Sequence, residues 1–329
     1  MLVGGACKWL DTDGNNVPEA NFRVTTVSKL SSLNTQERYE CLYDIVKNNL
    51  AALSMQIVLV GVGPDATKMW RIGSDILPMY THPVAKEFYR DPDIRNLIDE
   101  YLAKCGEMAR KFNVRLSFHP GQFVVLGSQN QGIRENSIRE LKYHAEVFSR
   151  MGYSGWHPDG LAINVHVGVK EANITEMRKL LRSDKDILNF VTLENDEFSW
   201  GTQAIVENFG DLVPVVLDVH HHWIHTGKRL EPDSRLVSEI RDTWWGTQPK
   251  LHLSMSDPVL CTVEPDGDIK LPKLLKLGAT RSGLRAHSQH PWHTPSINYA
   301  GAFGFDIMWE GKDKNLGAAA IATELGLMY

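Results

Sequence analysis

Cysteine is scarce in this chain of 329 residues, and its four copies, Cys7, Cys41, Cys105 and Cys261, lie far apart with no CxxC pair among them. That spacing argues against a disulfide framework and against a thiolate zinc site, and it fits a reducing cytoplasm. A surplus of basic residues is missing as well: 35 Lys and Arg against 40 Asp and Glu leave a net charge of −5. Any nucleic-acid binding must therefore come from local patches and bound cations rather than from overall charge. Long hydrophobic runs are absent too. The longest apolar stretch, around residues 50–63, is broken by Ser54 and Gln56, and the N-terminus has no basic region followed by an apolar run, so neither a membrane span nor a signal peptide is expected. No linker, low-complexity tract or strong internal repeat divides the chain, which is read as one domain over residues 1–329.

What remains is ordinary globular material, 43% hydrophobic and 23% charged, enough to bury a full core. Short apolar or β-branched runs occur at Met1–Gly5, Met55–Val60, Val114–Phe118, Leu161–Val165, Phe190–Leu193, Pro214–Leu217, Lys250–Leu253 and Phe303–Met308. Segments with helical spacing lie between them. Leu42, Ile45, Leu50 and Leu53 follow a start that Asn34 and Glu37 can cap, and Ser137-Ile138-Arg139-Glu140 has the form of a capping box ahead of Leu141, Ala145 and Phe148. Eight strands alternating with helices predict an α/β protein built as a single (β/α)8 TIM barrel.

A barrel of this kind carries its site at the carboxyl ends of the strands, so the residue that ends each run matters. His119 follows Phe118, His166 follows Val165, Glu194 follows Leu193, Asp218 follows Leu217, His252 lies within the Lys250–Leu253 run, and Glu310 follows Trp309. A lone histidine is usually a hydrogen-bonded structural residue. Six strands that end in imidazole or carboxylate, the donors that divalent first-row metals take together, point instead to one shared centre. In Pro214–His222 the carboxylate is followed at once by His220, His221 and His222. Strand alternation would put His220 on the side of Asp218, although the strand is expected to stop there.

The segments RLSFHPGQF with LGS, RIGSDILP, LEND, LDVHH, KLH, AHS and MWEGKDK, in their order along the whole chain, resemble the UV damage endonuclease family, relatives of endonuclease IV among the xylose-isomerase-like barrels. The resemblance implies a metal-dependent DNA repair endonuclease. It nicks the backbone immediately 5′ to ultraviolet photoproducts, cyclobutane dimers and 6-4 photoproducts, with abasic sites as a further candidate, and leaves a 3′-hydroxyl and a 5′-phosphate. It implies a cluster of three divalent ions, manganese with zinc or iron as alternatives. His119, His166 and Glu194 match the ligands of one ion; Glu194, Asp218, His252 and Glu310 those of a second; His221, His287 and a carboxylated Lys250 those of the third. The choice of His221 over His220 rests on the resemblance, as does the carbamate, which would give Lys250 the lone pairs that an ammonium lacks. Glu194, Asp218, Glu310 and Lys250 are accordingly the expected catalytic set, and Gln122 and Phe123, after HPG, the residues that probe the lesion. The implied partner is damaged duplex DNA, met by a monomer without an organic cofactor. Gln289 and His290 depart from the family pattern near His287. The competing readings are an endonuclease IV-like abasic-site enzyme and, from another class, a metal-dependent sugar isomerase or epimerase.

Weaker signals complete the reading. Between Asp268 and Asp306 no acid occurs, while Lys270, Lys273, Lys276, Arg281 and Arg285 are present; this long connection is a candidate phosphate-tracking patch. Gly61–Ala66 reads as a tight turn rather than a dinucleotide loop, Asp11–Asn15 as a polar loop rather than a calcium site, and Trp244-Trp245 as packing.

Overall fold

In the computed structural model, which describes residues 1–328, eight parallel strands close into a barrel in chain order. They are β1 (Val3–Ala6), β2 (Met69–Ile72), β3 (Arg115–Phe118), β4 (Ala162–His166), β5 (Val191–Glu194), β6 (Val215–Asp218), β7 (Lys250–Leu253) and β8 (Asp306–Trp309). β8 returns to pair with β1 through Val3↔Ile307 and Gly4↔Met308, so no strand edge is left open. The helices pack around the barrel, and the main apolar core runs between them and the sheet, with Trp70, Phe118, Phe148, Phe209 and Trp309 fully buried. This is the (β/α)8 barrel expected from the strand–helix alternation.

Two errors in that expectation cancelled. Met55–Val60 is no strand but the end of a 27-residue helix, Thr35–Gly61. The second strand is Met69–Ile72, which was not anticipated. A short apolar run is ambiguous between a strand and the buried face of a helix. Here the helix wins because its start is firmly capped and nothing breaks it before Gly61. Asn34 accepts from Glu37 N at 3.0 Å while Glu37 accepts from Asn34 N at 3.0 Å, and Ile57 and Val60 are then buried on the helix's inner face. The true β2 was masked by Arg71 in its middle.

The capping box expected at Ser137 is also corrected. The helix Gln131–Arg150 starts earlier, capped by Asn130. Ser137 sits inside it, donating to Ile133 O at 2.8 Å and accepting from Val125 N at 2.8 Å. Its hydroxyl thus ties the loop after β3 to the helix beyond it. The expected strand start at Phe303 moves to Asp306, because Phe303 caps the helix Thr294–Ala302 and Gly304 turns the chain with φ of 66°. Of the pair expected to pack, Trp244 does so, buried with its indole N–H on Val215 O at 2.9 Å, whereas Trp245 stands exposed; Asp11 folds a local turn with Asp13 and Asn15. Among the described residues no helix is long and apolar enough to cross a membrane.

Replacing Asn34 by Ala removes the side-chain half of the cap. It is expected to cost about 1 kcal/mol, read as a lower urea midpoint with an unchanged slope.

Candidate metal centre and cleft

The ends of six strands deliver the centre. β5 ends on Glu194 and β6 on Asp218, both fully buried, and the register sets His166 beside Glu194 and Asp218 beside His252. His119 and Glu310 follow β3 and β8 by one residue. Asp218 has two roles: it closes β6 and caps the helix Val219–Thr226, accepting from His221 N at 2.6 Å. Because the chain turns helical at once, strand alternation does not apply past Asp218. His221 faces the centre, its Nδ1 3.6 Å from Asp218 and 3.8 Å from Glu194. His220 is turned away between the hydroxyls of Ser254 and Ser256, at 2.7 and 3.0 Å.

The remaining distances draw the group together around Glu194. His119 Nε2 lies 3.2 Å and His166 Nε2 3.9 Å from Glu194 Oε2. His252 Nδ1 lies 3.1 Å from both Glu194 Oε1 and Glu310 Oε1. His287 approaches Glu310 at 3.9 Å and bonds its backbone carbonyl at 2.9 Å. His290, in contrast, pairs with Asp313 and His293 with Ser296. Three triads have donor atoms within 4.8 Å of one another: His119, His166 and Glu194; Glu194, Asp218 and His221; His119, His252 and Glu310. The first coincides with one expected ligand set. The second and third divide the others differently, with His221 grouped with Glu194 and Asp218.

Lys250, on the inward face of β7 below His252, is 1% exposed. Its Nζ, Asp218 Oδ2, His252 Nε2 and His166 Nδ1 are all buried without a hydrogen-bond partner. Buried polar atoms are nearly always satisfied. Imidazole and carboxylate donors gathered as in the three triads, with Asp218 Oδ2 buried and unpaired among them, fit a divalent cation that would complete them.

Residues that sequence reasoning passed over hold this arrangement. Asn164, one layer below, donates to Glu194 Oε2 and accepts from Thr192 Oγ1 at 2.9 Å. Asn195 exchanges two hydrogen bonds of 2.9 Å with the backbone of Asp218, locking the ends of β5 and β6 together. Asp196 folds the next turn by accepting from Phe198 N at 2.8 Å and Trp200 N at 3.1 Å. LEND is thus one candidate ligand followed by two structural residues. Arg71 of β2 donates to Glu310 Oε1 from inside the barrel. The one signal for it was its place at the head of RIGSDILP, an arginine inside the otherwise apolar Met69–Ile72.

Charge is unevenly shared. Burial pushes Glu194 up, but His252, His166 and His119 outweigh it and hold the carboxyl well below its usual range. Burial acts likewise on Glu310 and is overcome by Arg71 and His252. Asp218 lacks such support: burial, opposed by His221 and reinforced by Glu194 and Glu310, raises it to about 7. For His221 and His252, burial is outweighed by the surrounding carboxylates and each rises to about 9. Burial, with Arg115 and Arg71, brings Lys250 down to about 7.

A cleft of about 740 Å³ opens from His119, His166, His221 and His287 to the surface, with Gln122, Phe198, Ser282 and Arg285 along it. Phe123 is 64% exposed. Its ring is folded over Gly121, where an added Cβ would come within 2.6 Å of it. Phe198, 50% exposed with the Arg285 guanidinium 5.9 Å over its ring, was missed by the sequence reading. The basic patch is corrected. Acids that precede it in the chain fold back onto it: Glu264 pairs with Lys273, Asp266 with Lys270, and Glu197 takes Arg285. Of the expected five, only Lys276 and Arg281 have no ion pair among the described residues.

The model of the UV-endonuclease UvdE family matches residues 6–323. The chain belongs to that family. It is accordingly an endonuclease of the UV-damage repair class. UV DNA damage endonucleases of Bacillus thuringiensis subsp. konkukian (strain 97-27) and Bacillus cereus (strain 03BB102) are each 28% identical over 316 residues, covering 92% of this chain and 89% of theirs. Among solved structures, SacUVDE superposes with a TM-score of 0.75 at 23% identity, covering all of both chains. Endonuclease IV from Thermus thermophilus reaches 0.52 at 12% identity, over 85% of this chain and 95% of that one. At these identities the likenesses show a shared fold.

Replacing Arg71 by Met strands the Glu310 carboxylate, and removing one partner of a buried pair costs about 3–5 kcal/mol. The double variant Arg71→Met/Glu310→Gln is expected to recover most of that loss, measured as coupling in a double-mutant cycle.

Proposed function

We propose that this endonuclease uses divalent cations to cut the DNA backbone immediately 5′ to ultraviolet photoproducts, leaving a 3′-hydroxyl and a 5′-phosphate. The observation that carries the reading is the convergence of Glu194, Asp218 and Glu310 with His119, His166, His221, His252 and His287 at one barrel mouth, with Asp218 Oδ2 buried and unpaired, in a chain of the UvdE family. These residues are the proposed ligands of three ions, manganese first, zinc or iron as alternatives, with Lys250 completing the set as a carbamate. When bound, such ions supply a nucleophile at neutral pH, neutralise the non-bridging phosphate oxygens and stabilise the departing alkoxide.

The chain's own residues do the rest. Asn164 and Arg71 orient Glu194 and Glu310, and His252 bridges the two carboxylates so that neither swings away. Lys250 is buried with no acid against its Nζ, the setting in which a carbamate replaces an ammonium without stranding a counter-ion. Phe123, exposed beside the cleft, fills the gap left by displaced bases, and Gln122 hydrogen-bonds their edges. The chain acts as one monomeric barrel domain over residues 1–329 in the cytoplasm, a reading supported by its four free cysteines.

The test is an end-labelled duplex with one cyclobutane dimer, incubated with Mn²⁺ or with chelator, beside an abasic duplex and an undamaged control. Incision 5′ to the dimer, lost with chelator, is the expected result. Cleavage of the abasic duplex alone would move the chain to an abasic-site enzyme. Glu194→Ala is expected to abolish incision while circular dichroism shows an intact barrel; near-normal turnover would sink the ligand assignment. Phe123→Ala is expected to narrow the difference in kcat/KM between damaged and undamaged duplex by about 10-fold, the loss of one stacking contact.

A further inference from the structure

Lys314 is the first residue of the helix Lys314–Glu324 and has φ of 53°, in the left-handed region. For a residue with a long side chain this backbone costs about 1–3 kcal/mol and persists only where the surroundings impose it. They do so from both sides. Lys312 N bonds Ser288 O at 3.2 Å and Asp313 N bonds Gln289 O at 3.1 Å. The Asp313 carboxylate takes the Trp309 indole N–H at 2.6 Å. Asn315 pairs with both the N–H and the carbonyl of Leu10 at 2.9 Å. The strain is thus concentrated at the one residue between these anchors, where Gly or Asn would sit at less cost.

The side chain placed there is half-buried, close enough to Arg71, Glu310 and Lys8 for their charges to act on it. Glu310 is already engaged by Arg71 and His252, and Lys314 has no ion pair among the described residues. The same holds for two exposed neighbours on this edge: Lys8, two residues past β1, and Lys312, two residues past Glu310. Three cations without acids therefore line the β8–β1 side of the mouth. In the connection between β7 and β8, Lys270, Lys273 and Arg285 are neutralised by acids.

We propose that Lys314, flanked by Lys8 and Lys312, grips a backbone phosphate of the DNA held over the β8–β1 edge of the barrel mouth. This rests on the reading of the substrate as DNA. It assigns the phosphate-tracking surface to the β8–β1 edge in place of the neighbouring long connection where the sequence suggested it. A phosphate is the ligand such a lysine lacks, since each Lys–phosphate contact releases condensed counter-ions and is read as salt dependence.

The experiment is fluorescence anisotropy of the metal-loaded protein with an undamaged labelled duplex, which offers phosphates and no lesion, across a salt series. Lys314→Gln is expected to flatten the plot of log Kd against log salt by about 0.9, so that a fourfold rise in salt weakens the wild type about 3.5-fold more than the variant. Lys314→Arg should keep the wild-type slope. Lys314→Gly should melt at or above the wild-type temperature, because its backbone is relieved, and still show the flattened slope. That combination separates a lost contact from a damaged fold. A wild-type slope in Lys314→Gln, or no duplex binding by the wild type, would overturn the inference. A wild type that binds duplex but cuts no damaged strand would overturn the endonuclease reading alone, with the phosphate contact still judged by the slope.

Discussion

Three carboxylates brought together away from water are the constraint on which this barrel mouth depends. Glu194 and Asp218 are wholly buried and Glu310 is nearly so, and like charges this close are unfavourable in a medium that screens them poorly. The protein answers with imidazoles. His252 stands between Glu194 and Glu310, His221 between Glu194 and Asp218, and Arg71 pairs with the same Glu310 oxygen as His252. The answer is incomplete at Asp218, whose raised value marks where positive charge is shortest. The same groups that repel one another are, for that reason, well matched to cations.

The scaffold meets this constraint by placing each group at a strand end and tying neighbouring ends together. Asn195 joins β5 to β6, Arg71 joins β2 to the end of β8, and Asn164 carries the support one layer down into the barrel. Short strands suit such a design, since only about four residues separate the packed interior from the polar mouth.

Much of this was legible in the chain, because strand alternation and strand ends are local signals. His119, His166, Glu194, Asp218, His252 and Glu310 could be found by asking which residue closes each apolar run. The parts that escaped depend on contacts distant in sequence. Met55–Val60 reads as a strand until the cap at Asn34 and Glu37 is allowed to propagate a helix across it. Arg71 looks out of place in a strand until Glu310, 239 residues away, is set against it. The basic run after Asp268 looks free of acids until Glu264 and Asp266 fold over it. His221 was preferred to His220 only by resemblance; the reason, a helix that begins on Asp218 itself, belongs to the three-dimensional structure.

The loop after β3 joins the candidate metal centre to the protein surface. His119 lies against Glu194, and Phe123 stands at the surface only four residues later, in a loop anchored by Ser137 to the next helix. Four residues of chain reach at most about 14 Å. In the proposed reaction this segment works as a ruler between the damaged bases and the bond that is cut. If Phe123 meets the lesion and His119 holds an ion at the cut, the four residues of this segment would fix the greatest distance between the two.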